Sequence, residues 1–495
     1  MTPLKVLFAT AEAAPFAKTG GLADVSSALP QALAELGHDV RVVLPLYPRV
    51  REHAKDLAPV EGPGRIVIPT ARRPYECGIA RATFPDSTLE AYFVDCPALF
   101  DRPGIYTQDA DEPVRFLVLT RAAIELAQRW QWAPDIAHAH DWHTALLPLY
   151  LKTVYAWDRL FERTRTLLTI HNLGHQGGFG SDLLPDLGLG DASRLLHQED
   201  LRAGRINFLK TGILFADRLS TVSPTYAKEI QTEAFGFGLH DLLRARGKDL
   251  LGILNGIDEK TWNPRTDPHL AAKYSEGSLH RKELNKRALL EAVGLPYEKG
   301  VPTLGIVSRL SHQKGIELLE GVLPRLLSER DVRFVALGSG EPRYERFLHG
   351  LEQAFPGRAR LWQGFHERLA HLIEGGSDLF LMPSLYEPCG LNQMYSQRYG
   401  TPPIVRRTGG LADTVEHFDP RSGEGTGFVF EHFTPSGLEW AIGVALEAYA
   451  DKAAWTRVMR NGMGREFGWR IQAPRYVELY EQMRAGSPRR EATRA

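Results

Sequence analysis

One hexapeptide occurs twice in this chain, and it constrains the fold more than any other feature. Thr19-Gly20-Gly21-Leu22-Ala23-Asp24 returns letter for letter as Thr408-Gly409-Gly410-Leu411-Ala412-Asp413, with a basic residue, Lys18 or Arg407, in front each time. Paired glycines ahead of an apolar helical start make a turn whose backbone N–H groups are uncovered at a helix N-terminus, where the macrodipole favours negative charge and oxygen-rich ligands. Each copy alone also reads as a tight turn that packs a helix closely on a sheet. The first copy follows the opening strand and the second a late one, so this is no simple tandem duplication. Together they point to two α/β domains presenting loops to one shared cleft.

At 495 residues the chain exceeds one ordinary core, and two to three domains are expected. Apolar residues at 43% and charged residues at 24% are those of a soluble globular protein. A formal net charge of -1 gives no bulk electrostatic case for nucleic acid or an anionic membrane as partner. Three cysteines, an odd number without C-x-x-C, exclude a disulfide framework and a cysteine-based zinc site. The sequence opens directly into a strand, without a signal-like segment, and no run reaches about 18 apolar residues. A cytoplasmic location is the expectation.

Short apolar, β-branched runs alternate with helical patterns, as in parallel sheets with crossover helices. The pattern predicts strands over 6–9, 40–44, 66–68, 90–94, 135–138, 166–170, 218–222 and 250–254, with helices over 114–130 and 144–155. After the first glycine turn, Leu22, Val25, Leu29, Leu33 and Leu36 recur at helical steps, and Pro30 predicts a kink. A second series has strands over 303–307, 333–337, 360–363, 379–382 and 403–405, and a last amphipathic helix over 469–484. The expected division is a Rossmann-like domain over 1–258, a linker region over 259–300 and a second Rossmann-like domain over 301–465. A helix over 466–485 that can cross back to the first domain, and a disordered tail over 486–495, complete it. In doubly wound folds ligands sit outside the carboxyl ends of the strands.

Several clusters fall at such ends. Arg309 and Lys314, five apart where the first strand of the second domain opens into a helix, can grip a pyrophosphate, or can be surface charges at a strand end. In Glu387-Pro388-Cys389-Gly390-Leu391-Asn392, Gly390 lets the backbone approach a ligand and the Leu391 and Asn392 amides open a helix. Glu387 then needs a hydroxyl or a developing positive charge to meet, unless it is a helix cap. His138-Ala139-His140-Asp141-Trp142-His143 has no second cluster with metal-ligand spacing; Trp142 between Asp and His suits a sugar face, and His171-Asn172 ends another strand similarly. Asp109-Ala110-Asp111 has the D-x-D spacing of some metal sites, yet lies in a polar loop and is read as one. Gly338-Ser339-Gly340 is a turn first.

The combination resembles the bacterial glycogen synthases and plant starch synthases. The resemblance rests on Lys18-Thr19-Gly20-Gly21-Leu22, His138 to His143, His171-Asn172-Leu173, Val222-Ser223-Pro224-Thr225-Tyr226, Asn255-Gly256-Ile257-Asp258, Ser308-Arg309-Leu310, Gln313-Lys314-Gly315, Glu387 to Leu391 and Arg406 to Leu411, in family order. It implies an α/β fold of two doubly wound domains facing across a cleft, the GT-B type. It also implies a retaining glycosyltransferase that moves glucose from ADP-glucose to the 4-hydroxyl of an α-1,4-glucan, glycogen or a maltooligosaccharide, with no cofactor and no metal. By the same resemblance Glu387, Arg309, Lys314 and His171 are the catalytic set. Lys18, Gly20, Gly21, Asn255, Phe365, Cys389, Gly390, Leu391, Tyr395, Thr408, Gly409 and Gly410 bind the donor, with Phe365 on the adenine. Glu12, Asp24, Asp141 and Trp142 face the acceptor.

Two departures stand out. Related transferases often carry a second glutamate eight residues after the first, where this chain has Tyr395. Some synthases have tyrosine where it has Phe100. No residue pair is an obvious double-displacement nucleophile and acid, so front-side attack is expected, with the departing phosphate taking the acceptor proton. Two other classes stay open on sequence: a UDP-glucose-dependent transferase, and an idle glucan-binding protein, which the charged residues at the strand ends disfavour.

Overall fold

The computed structural model describes residues 2–62 and 65–486, so the expected tail beyond Gly486 lies outside the described residues. The chain divides into two compact units, 1–256 with 469–495, and 257–468. In chain order the first unit contains strands β1 (Lys5–Ala9), β2 (Asp39–Pro45), β3 (Ala58–Pro59), β4 (Ile66–Ile68), β5 (Tyr75–Thr83), β6 (Glu90–Asp95), β7 (Ile136–His140), β8 (Arg165–Ile170), β9 (Gly178–Gly180), β10 (Arg205–Asn207), β11 (Arg218–Thr221) and β12 (Leu250–Gly252). Its main sheet runs β12-β11-β8-β7-β1-β2-β6-β5-β3, with β4 on β5. From β12 to β6 every pairing is parallel, and β5 with its partners adds an antiparallel extension. Val6, Leu7, Phe8 and Ala9 are all buried, as a strand covered on both faces requires.

The second unit is built on β13 (Thr303–Val307), β14 (Arg333–Gly338), β15 (Ala359–Gln363), β16 (Leu379–Met382), β17 (Pro403–Arg406) and β18 (Phe428–Phe430), in the order β15-β14-β13-β16-β17-β18. All its pairings are parallel. One core packs Leu304, Ile306, Leu319, Leu323, Phe334 and Leu379, and a second packs Leu289, Val335, Ile373, Phe380 and Val405 on the other face. Strand order reverses beside the first strand of each sheet, at β1/β7 and at β13/β16, and these switch points are where doubly wound folds hold ligands.

Three points of the sequence reading need correction. The 259–300 stretch is not a free linker: it belongs to the second unit, where Asn285 bonds both ways with Ala272 and Lys282 bonds the carbonyl of Gly375. The helix expected over 144–155 is two short pieces, Asp141–Thr144 and Leu147–Lys152, because Pro148 sets a new helical start. The longest strand of the first sheet, β5, went unpredicted, because Glu76, Gly78 and Arg81 break up its apolar character while its pairing with β4 and β6 sustains it. The final helix, Trp469–Ala485, packs in the first unit: Tyr480 bonds His138, and Gly256 lies against the ring of Trp469. Among the described residues no helix is long and apolar enough to cross a membrane.

Candidate active site

In the first unit the expected residues gather at the β1/β7 switch point. β1 leads into Glu12, a carboxylate only 2% exposed. It accepts the Thr19 amide at 2.5 Å and the Thr19 hydroxyl at 2.7 Å, and the Tyr106 hydroxyl as well. Glu12 thus fastens the first glycine loop from inside. Lys18 and Asp24 form an ion pair of 2.6 Å on the outer side of that loop, both with accessible side chains. Gly20 caps the helix Gly21–Glu35 and has open space where a Cβ would stand.

β7 ends in His138 and His140, and Asp141 follows at φ 53°, a left-handed conformation that turns the chain sharply. Asp141 accepts the His171 amide at 2.7 Å and the Asn172 amide at 3.4 Å, which joins the ends of β7 and β8. Burial pushes its carboxyl up to about 7 despite these two bonds. Burial also pushes the His171 imidazole down to about 3, so it is neutral at physiological pH. His171 Nε2 lies 3.0 Å from His140 Nδ1, and among the described residues His140 Nε2 is buried without a partner. One nitrogen of the close pair carries the shared proton and the other accepts it. Behind them His138 is fixed by Tyr480 at 2.8 Å and Thr169 at 2.6 Å. Asn255 adds a buried Oδ1 with no partner among the described residues.

The second unit gathers its set at β13/β16. Lys314 lies 2.6 Å from Glu387 Oε2, and Ser384 donates to the same oxygen at 3.0 Å. Glu387 is 5% exposed, so its charge is held by this pairing. The guanidinium of Arg309 is exposed and makes no hydrogen bond or ion pair among the described residues. Gly315, at φ 70°, brings the Lys314 loop so near β16 that a Cβ would stand 2.0 Å from the Pro383 carbonyl oxygen. The second hexapeptide does the same for the Glu387 loop: the Gly410 amide donates to the Glu387 carbonyl at 3.0 Å. Cβ atoms at Gly409 and Gly410 would meet the carbonyls of Glu387 and Cys389 at 1.9 and 2.0 Å. Gly390 is left-handed at φ 71°, and Leu391 precedes the helix Asn392–Arg398. Phe365, 82% exposed, stands free in the loop after β15.

Two expected ligand residues are packing residues. The ring of Trp142 is 9% exposed; the backbone of Gly177 lies against it, with Phe116 and Phe179 at its edges. That leaves no open face for a pyranose. Tyr395 is buried with its ring stacked on Trp262 at 4.0 Å and 9°. The D-x-D pair is an ion-pair loop, since Arg102 bonds both Asp109 and Asp111. Phe100 is fully buried beside Tyr47. Sequence reasoning missed Thr19, Tyr106 and Ser384 as holders of the two key carboxylates. Their only signal is a hydroxyl near a motif, which is too common to single out.

Two family models match the chain, the starch synthase catalytic domain over residues 5–245 and the glycosyl transferases group 1 over residues 294–460. A glycogen synthase of Koribacter versatilis is 45% identical over 98% of this chain and 100% of that protein. The chain belongs to the glycogen and starch synthase family. A second family member, a glycogen synthase of Aromatoleum aromaticum, is 46% identical over 98% of each chain. The catalytic domain of starch synthase IV from Arabidopsis thaliana, solved bound to ADP and acarbose, matches with a TM-score of 0.91 at 35% identity, covering 98% of this chain and 100% of that one. This glycosyltransferase therefore has the GT-B fold of the starch synthases. Sucrose-phosphate synthase from Thermosynechococcus elongatus, at 18% identity and a TM-score of 0.57, shares the fold alone.

Proposed function

We propose that this glycosyltransferase transfers glucose from ADP-glucose to the non-reducing 4-hydroxyl of an α-1,4-glucan, with retention of configuration and without a metal ion. The observation that carries the reading is the Lys314–Glu387 pair, with the exposed Arg309 on the same loop after β13, at the switch point of the second sheet. A diphosphate has the charge to draw Lys314 off Glu387, and Arg309 adds a planar fork for its oxygens. Two fixed cations then do what a bound metal does elsewhere: they stabilise charge on the leaving diphosphate. The ADP in the starch synthase IV structure supports the adenine nucleotide, and its acarbose supports a glucan acceptor.

In the transfer, the acceptor oxygen bonds to the anomeric carbon as the bond from that carbon to the diphosphate oxygen breaks. The departing phosphate takes the acceptor proton from the same face, so the configuration is kept. Glu387, released from Lys314, meets the positive charge that develops on the sugar. His171, kept neutral by burial, can hydrogen-bond a sugar hydroxyl without adding charge. The unpartnered Oδ1 of Asn255 is an acceptor for a sugar hydroxyl.

Purified protein given ADP-glucose or UDP-glucose, maltooligosaccharides and EDTA tests the reading through nucleotide release and chain length. Chain extension with ADP-glucose in EDTA supports it. Extension only with UDP-glucose moves the donor, dependence on added metal removes the two-cation account, and no extension with either donor overturns the whole.

A further inference from the structure

A cluster in the second unit, built from none of the residues assigned to the transfer, has the composition of a metal site. The ligand atoms of His269, Glu367 and His371 all lie within 4.8 Å of one another. Glu367 and His371 are four residues apart on the helix Glu367–Gly376, so their side chains share one face. His269 arrives from the irregular stretch that precedes helix Lys282–Ala292, and its ring centre is 4.6 Å from that of His371. Glu367 is exposed, His269 half-buried and His371 buried, so the cluster opens to solvent at one end.

What lies behind the cluster points the same way. His371 Nδ1 is 2.8 Å from Asp267 Oδ2, which also accepts the Tyr399 hydroxyl at 2.5 Å. The other oxygen of Asp267 takes the amide of His269 at 2.8 Å. One buried carboxylate therefore holds the His371 ring and the His269 backbone, and among the described residues Nε2 of His371 has no hydrogen-bond partner. The ring of Trp262 stacks flat on His371 at 4.0 Å and 1°, closing one side. A histidine whose second nitrogen is held by a carboxylate is the usual outer arrangement of a zinc ligand.

We propose that His269, Glu367 and His371 form a binding site for a divalent transition metal, zinc by its donor set, with Asp267 as the outer carboxylate. Two imidazoles and one carboxylate match three-ligand zinc sites, in which water takes the fourth position. Metal–ligand bonds of about 2.0 to 2.2 Å require the three donors to draw closer, and the exposed Glu367 side chain has the freedom to do so. The consequence is structural. Zinc would staple the irregular segment carrying Trp262, Asp267 and His269 to the helix Glu367–Gly376. Through Trp262 it would also firm the ring of Tyr395, stacked on the same indole at 4.0 Å.

The test uses the whole chain, dialysed against EDTA and then titrated with Zn²⁺ alone, with Co²⁺ as a spectroscopic probe. The expected result is one tight equivalent, visible Co²⁺ absorption of tetrahedral intensity, and a melting temperature raised by roughly 5 °C at a hundredfold excess over Kd. His269→Ala and Glu367→Gln should each weaken binding at least tenfold while melting like the metal-free parent. Glucosyl transfer by the stripped protein should be unchanged. Absence of a tight equivalent, or undiminished binding and Co²⁺ absorption in both variants, would overturn the site.

Discussion

The two copies of Thr-Gly-Gly-Leu-Ala-Asp are identical in sequence and opposite in placement. Lys18, Thr19, Gly20 and Gly21 are exposed, and the loop is held from one side by Glu12. Thr408, Gly409 and Gly410 are buried, with no room for a Cβ at either glycine. In the first copy the glycines leave backbone open to solvent; in the second they let one loop press against the backbone that carries Glu387. The same letters therefore stand open in one unit and closely packed in the other. What differs is the neighbour each loop meets, which no local pattern contains.

The units carrying the copies differ in charge design, and pH should separate them most. His138, His140, His143 and His171 are all driven below the ordinary imidazole range, by burial first. The folded state then binds fewer protons than the unfolded one, so their contribution is present above about pH 6.5 and is lost as pH falls. Asp141, raised to about 7 by burial, opposes them between about pH 4 and 7, since its folded form holds the extra proton. Four groups outweigh one, and each unbalanced proton is worth about 1.4 kcal/mol per pH unit. In the second unit Glu374, raised by burial, gains stability for the fold on acidification. Hydrogen exchange at pH 5.5 and 7.5 should show β7 and β8 losing protection at the lower pH while β13 and β16 keep theirs. Equal loss in both sheets would refute the neutral-histidine assignment.

The residues in front of the two copies give the next contrast. Lys18→Ala should lower kcat/KM for the donor about a hundredfold, the scale for one key electrostatic contact, with the melting temperature unchanged. Arg407 pairs with Glu431 at 2.5 Å, both side chains about half exposed, and Arg407→Ala should stay within about threefold. Steady-state kinetics on the two variants decides whether the open copy is the working one. Similar losses would mean that the difference in burial carries no functional meaning.

Much of this was legible in the sequence. The parallel strands were readable because double burial makes them continuous apolar runs, as in Val6 to Ala9. The strand-end positions of Lys314 and Glu387 were readable from the apolar runs that precede them, whereas their mutual ion pair was not. The packing of Trp142 was not readable, since an aromatic between Asp and His suits a sugar edge equally well as a core wedge and the approach of Gly177 is not local in sequence. The clamp on Glu12 was hidden because Tyr106 lies far along the chain. The packing of 259–300 was hidden because its polar turns look like a linker until Asp267 is seen buried beneath His371.

Glycine substitutions test the packing half of the contrast. Gly409 is left-handed at φ 44° and faces a carbonyl oxygen at 1.9 Å from an added Cβ, so Gly409→Ala should cost about 3 kcal/mol and displace Glu387. Gly20→Ala adds a methyl to open space and should leave stability within about 0.5 kcal/mol of the parent. Calorimetry with a matched activity assay reads both. If Gly409→Ala melts like the parent, the second copy is not the strut described.

The smallest effect concerns the threonines. Thr19 gives Glu12 two hydrogen bonds, one from its amide and one from its hydroxyl, and only the second is lost in Thr19→Ala. Because Thr19 is exposed while Glu12 is buried, the loss should be near 1 kcal/mol, the ordinary net worth of one hydrogen bond. Tyr106 stays bonded to the same carboxylate, so Glu12 is not abandoned and the fold should hold. The looser loop should instead appear as a raised KM for the donor with kcat little changed, since Lys18 is carried on it. Thr19→Ser keeps the hydroxyl and should restore both stability and KM. If serine fails to rescue, the threonine acts through its methyl group, and the clamp on Glu12 is not what shapes the open copy.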